Sequence, residues 1–142
     1  IQAKEQLSNI FGKSVIDCFV PPWNRIREDI IPNLSELGFS GFSSFGKRSS
    51  KVHESNLKWF NTHVDVIDWR NTRQFIGRDA MISQITDNLR RQRTRSGTSE
   101  PVVVLTHHLN MIESDWEEFR NIFTVLKKNN AVRFVDPLEL FH

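Results

Sequence analysis

The residues of this sequence whose types and spacing could do chemistry fall in three short stretches. They are Trp23 in PPWN, Asp65, Asp68 and Trp69 in DVIDW, and His107 and His108 in VVVLTHH. An imidazole beside a carboxylate can serve as a general acid, because its ordinary pKa of about 6.5 lets it hold or release a proton near neutrality and the carboxylate fixes its tautomer. A hydrogen-bonded structural histidine has the same sequence signature, so spacing alone leaves both readings open. Strand neighbours point to opposite faces, which groups His107 with Val103 and Leu105, and His108 with Val104 and Thr106. Only one of the two can face inward, and joint binding of a metal ion by both is discounted. Asp65 and Asp68 could be read as a glycosidase pair, although such pairs flank a substrate from different elements; a carboxylate capping a turn is the plainer alternative. Trp23 and Trp69 could stack on sugar faces or pack in a core, whereas Trp59 and Trp116 read as core.

The elements that must position these residues follow from periodicity and punctuation. Residues 2–12 are helical, with Leu7, Ile10 and Phe11 on one face and Gly12 as the stop. Residues 14–20 form an apolar strand that Pro21 and Pro22 end. A helix is expected over 24–38, with Pro32 at the first turn of a second helical segment and Gly38 at its close. The stretch 39–45 reads as a strand, 46–55 as a loop and 57–64 as a strand, and 65–77 is too polar and irregular for a core element. From Asp79, a possible cap, Met81, Ile82, Ile85 and Leu89 mark a helix, and 101–108 is the clearest strand. Ser114 and Glu117 stand in capping-box spacing ahead of a helix over 114–128, and 131–135 is expected to be a last strand before a short helical turn. About five strands alternate with helices and no hairpin turn joins them, which predicts an α/β fold of parallel βα units. Ligands of such folds bind at the carboxyl ends of the strands, where the three stretches fall.

Composition removes several classes of function. A chain of 142 residues can bury roughly 68–70% of its unfolded surface without staples. Cys18, the single cysteine, allows no internal disulfide and no cysteine-based zinc cluster, and reads as a small buried hydrophobe. The net charge of +2 points to no nucleic acid. The one basic cluster, Arg90, Arg91, Arg93 and Arg95, has no interleaved aromatic residue and suits a solvated helix end. No apolar run has the length of a membrane span or a signal peptide, and the compartment, cytoplasm or cell envelope, stays open. Nucleotide-binding and zincin motifs are absent.

Taken together and in order, FVPPWN at 19–24, DVIDW at 65–69 and VVVLTHH at 102–108 resemble the third, fourth and fifth motifs of the polysaccharide deacetylases, carbohydrate esterase family four. The phrases LGFSGFSSFG and NTHVDVIDW extend the resemblance over nearly the whole chain. It implies a distorted (β/α) barrel, a divalent metal, often zinc, and removal of acetyl groups from an acetylated polysaccharide or amino-sugar oligomer. By the same resemblance His107 is the catalytic acid and Asp65 the carboxylate that orients it and keeps it protonated. Trp23 supplies a backbone N–H toward the oxyanion, and Pro22, Trp69 and Leu105 line the acetyl pocket.

Two departures qualify that expectation. Val20 stands where the third motif begins with arginine, and Arg25 is the nearest possible substitute. The first two motifs, which carry the catalytic base and the metal ligands, do not occur in the chain. His53 and His63 lie on the wrong side of PPWN to replace them. The expectation is therefore that residues 1–142 form the carboxyl-terminal portion of one catalytic domain, an incomplete barrel, since closed barrels of this sort run to about 250 residues. Two rival expectations remain: a carbohydrate-binding or regulatory deacetylase-like module without chemistry, and a glycosidase using Asp65 and Asp68.

Overall fold

The computed structural model describes residues 2–46, 56–94 and 100–141. His53, Arg95 and residues 47–55 of the expected loop lie outside them. Among the described residues, helices mix with two sheets whose named strands pair in parallel, as the α/β expectation required. The chain divides into two compact units, one of residues 1–61 with 135–142 and one of residues 62–134.

In the first unit, helix α1 (Gln2–Phe11) stops at Gly12, whose φ of 56° is open to glycine without strain. The expected strand over 14–20 shortens to β1 (Cys18–Phe19), because a 3-10 turn occupies Gly12–Ser14 and Pro21 has no N–H for the ladder. The expected helix over 24–38 breaks into a turn at Glu28–Ile30 and a single helical turn, α2 (Asn33–Glu36). Pro32 between them cannot donate to a preceding carbonyl, so one continuous helix is not available. Strand β2 (Gly41–Phe42) lies between β1 and β3 (Lys58–Trp59), in the register Phe19, Phe42, Trp59. Phe42 and Trp59 meet edge to face at 5.0 Å and pack with Ile31, Leu34 and Leu57 in the core of this unit.

The apolar run 57–64 is not one strand, and the break falls at Asn61. Its side-chain oxygen accepts the Ser44 N–H and O–H, both at 2.9 Å, and the Trp59 indole N–H, while its amide nitrogen donates to Gly46 O at 3.0 Å. A buried amide with this many partners fixes the chain more firmly than continued ladder pairing would. After the second unit, α5 (Pro137–Phe141) closes the first: Phe141 lies so near Gly41 that a Cβ there would overlap its ring.

In the second unit, β4 (Thr62–Asp65) pairs with β5 (Val103–Leu105), and α3 (Arg78–Thr94) and α4 (Glu113–Lys127) cover one face. Val64 of β4 with Val66 just beyond it, and Val104 of β5 with Val102 just before it, pack with Met81, Ile85 and Ile122 of the helices. Met81 and Ile85 are buried one turn apart, whereas Ile82 and Leu89 of the same pattern are exposed. Asp79 is not a cap, because α3 already begins at Arg78, where Met81 N–H bonds Gly77 O at 3.1 Å. Contrary to the capping box expected at Ser114 and Glu117, the Asp115 carboxylate reaches back to the Ile112 N–H at 3.1 Å. Residues 65–77, read as too polar for a core, carry Val66 and Ile67 into it, and Ile67 forms an antiparallel bridge with Phe75. No last strand forms over 131–135. Asn129 turns the chain by accepting the Ala131 and Val132 N–H groups, and Phe134 packs on Phe123 at 5.7 Å.

The contact at Gly41 yields a quantitative test. Gly41→Ala should destabilise the protein by about 1–3 kcal/mol in urea unfolding, as overpacking does, and Phe141→Ala in the same chain should remove most of that loss. A loss that persists in the double variant would show that the ring is not its cause.

Candidate active site

The chemistry predicted for the ends of two strands comes together in the second unit. Strand β4 ends at Asp65, and parallel pairing sets that residue opposite Leu105, so both share the face that the helices do not cover. His107 lies two residues beyond Leu105 on the same face. Its Nε2 is 3.0 Å from Asp65 Oδ1.

The carboxylate is held from three directions. Oδ1 also accepts the Ile67 N–H at 3.0 Å, and Oδ2 accepts the Trp69 indole N–H at 2.9 Å. An ionised carboxylate only accepts, so against it the Nε2 of His107 is the nitrogen that carries the proton of their shared hydrogen bond. Nδ1 is then the ring nitrogen left to exchange a proton with another molecule; among the described residues it has no hydrogen-bond partner. The Trp69 ring meets the imidazole edge-on, with centroids 4.9 Å apart and planes at 83°, which limits rotation of the histidine. The Asp65 and His107 side chains are 19% and 24% exposed, enough for a ligand to reach them and too little for water to screen the pair fully. A hydrogen bond to a charged partner in this setting contributes about 1.5–3 kcal/mol.

Other predicted residues are placed differently. His108 points away from this group and packs against Trp116, with centroids 5.5 Å apart, as strand alternation required. Asp68 does not pair with Asp65. Its carboxylate accepts the Asn71 side-chain amide at 3.0 and 3.1 Å and the Arg70 and Asn71 N–H groups at 3.2 Å. The Asn71 amide above all, with these backbone donors, holds its pKa below the ordinary carboxylate value, and the residue is the turn cap that was the plainer reading. Pro22 and Trp23 belong to the first unit. Trp23 is 90% exposed with a left-handed φ of 53°, and Asn24 follows at 54°; non-glycine residues held there cost of order 1–3 kcal/mol each. Val20 and Arg25 are both exposed, and Arg25 forms no ion pair among the described residues. Burial raises the Cys18 thiol to about 11, as suits a packed rather than a reactive cysteine.

His63 was set aside in the sequence, yet it sits inside the β4–β5 pairing. Its Nδ1 accepts the Val103 backbone N–H at 3.3 Å. Burial pushes its pKa below 6.5, and the nearby charge of Glu100 offsets part of that.

No group of three or more His, Cys, Asp or Glu side chains among the described residues could hold a metal ion. The described residues therefore do not fit the divalent metal that the resemblance implies. Among the described residues no helix is long and apolar enough to cross a membrane. No protein-family model, curated protein or solved structure matches the chain.

The lowered pKa of His63 fixes the sign of a pH effect. The folded state disfavours the protonated ring, so the stability linked to His63 is complete above about 6.5 and is lost as pH falls from there through the folded value. Urea unfolding at pH 7.5 and pH 5 should show this decline, and His63→Gln should make it shallower. An unchanged slope in the variant would mean that other groups set the decline.

Proposed function

We propose that this chain carries the proton-donating part of a hydrolase that removes acetyl groups from a polysaccharide or amino-sugar oligomer. One observation carries the reading: Asp65, Trp69 and His107 share one hydrogen-bonded cluster, and they come from the two segments that resemble consecutive deacetylase motifs. In this reading the domain is part of a distorted (β/α) barrel. Within each unit the named strands among the described residues pair in parallel, as such a fold requires.

The chemistry assigned to these residues is protonation of a departing amine. When a tetrahedral adduct of an acetamide collapses, the nitrogen leaves only if it gains a proton, because an amide anion is too basic to be expelled. His107, protonated on both nitrogens, gives up the Nδ1 proton while Asp65 keeps hold of Nε2–H, so the ring orientation survives the transfer. Leu105, on the same face of the sheet, and the indole of Trp69 provide apolar walls suited to an acetyl methyl group. Water activation falls to groups outside the described residues.

Val20 favours a second reading. It is exposed and uncharged where the resemblance calls for an arginine, as suits a deacetylase-like module that binds sugar without turning it over.

The two readings part on product analysis. Expressed from its full reading frame, the protein should release acetate from N-acetylated oligosaccharides, and His107→Ala should lower kcat by about a hundredfold to ten-thousandfold, the usual contribution of a general acid. The isolated 142 residues should release none. Saturable oligosaccharide binding without acetate would favour the binding module, and shortened oligomers without acetate would mean glycoside cleavage.

A further inference from the structure

We propose that His63 is a positioning residue for the acid pair: its imidazole holds a one-residue bulge in β4 that places the Asp65 carboxylate on the face of His107 rather than that of His108. The catalytic meaning of this rests on the reading of Asp65 and His107 given above; the geometry does not.

The register carries the inference. Thr62 is opposite Val103, but Val64, not His63, is opposite Val104, and Asp65 is opposite Leu105. Partners in a parallel pair share a face, and faces alternate along each strand. Had the ladder continued from Thr62 without the extra residue, Asp65 would lie opposite Thr106 and share a face with His108. The bulge moves it by one position, onto the face of Leu105 and His107, where the 3.0 Å contact forms. The same shift brings Val64 and Val104 together in the helix-covered core, so hydrophobic burial and the acid pair both depend on it.

A bulge leaves a ladder group without its regular partner. In this sheet the Val103 N–H turns to the side chain of the extra residue, since His63 Nδ1 accepts it at 3.3 Å. An aliphatic side chain could not do so, and the N–H would stay unpaired in a partly buried site. His63 thus makes tolerable the irregularity that selects which histidine meets Asp65.

The test uses the full 142-residue chain with 15N-labelled histidine and reads solvent exchange of the His107 Nε2 proton by NMR. His63→Leu, similar in bulk but unable to accept, should speed that exchange by about tenfold, the equivalent of roughly one hydrogen bond. His63→Gln, whose side-chain oxygen can accept the Val103 N–H, should keep it near the parent rate. Deletion of His63 should also keep it, because Thr62, Val64 and Asp65 can then pair in regular steps with Val103, Val104 and Leu105. Unchanged exchange in His63→Leu would overturn the proposal. So would loss of the Nε2 signal in a deletion variant that keeps its helical circular dichroism, and that arm decides if His63→Leu does not fold. The expected NMR pattern in these residues, together with no acetate release by the protein expressed from its full reading frame, would remove the deacetylase reading and leave the role of His63 standing.

Discussion

Everything chemical in the second unit depends on one carboxylate that takes all its hydrogen bonds from donors. Asp65 accepts the Ile67 N–H, the Trp69 indole N–H and the His107 imidazole proton. An ionised carboxylate has no proton to give, so in the third bond the imidazole donates. Histidine is thereby fixed in one tautomer, with one nitrogen committed to Asp65 and the other turned toward whatever binds. The three donors come from the loop after β4 and from the end of β5, two elements that only parallel pairing brings to the same edge.

The loop after β4 is irregular in outline and firmly held in fact. Val66 and Ile67 are buried in the helix-covered core, and Ile67 bridges to Phe75 so that the excursion closes on itself. Asp68 caps the turn within it, using donors of Arg70 and Asn71. Trp69 is therefore carried on a braced loop, and its indole N–H reaches Asp65 without the freedom an open surface loop would have. One face of the β4–β5 pair serves stability through packed valines, and the other presents the acid pair.

Much of this was readable from residue pattern. The alternation of VVVLTHH separated His107 from His108, and buried Ile122 of α4 with partly buried Trp116, Phe119, Phe123 and Leu126 follows the stripe that its aromatic positions announce. Local chemistry misled where a tertiary contact overrode it. The run LKWFNTHV looks like one strand because its apolar content is continuous, and only the partners of Asn61 in distant Ser44 and Gly46 reveal the break. AVRFV has strand formers, but among the described residues it pairs with no strand, and Asn129 turns it instead. Ser114 and Glu117 match a capping box by spacing, yet Asp115 reaches the Ile112 N–H one turn earlier. The bulge at His63 leaves no mark in its own strand, since THVDV alternates with or without it; register is a property of two strands together. Oxyanion and pocket roles for Trp23 and Pro22 came from resemblance alone, and the left-handed backbone at Trp23 has no signature in sequence.

The central claim, that His107 and Asp65 share a proton within a braced cluster, is open to a direct energetic measurement. Chemical unfolding of the parent, Asp65→Asn, His107→Gln and the double variant at neutral pH gives the coupling between the two side chains. A coupling of about 1–3 kcal/mol is expected for a hydrogen-bonded pair with a charged partner. Losses that add to within about 0.3–0.5 kcal/mol would show that the two side chains do not interact, and the account of the site would fail with them.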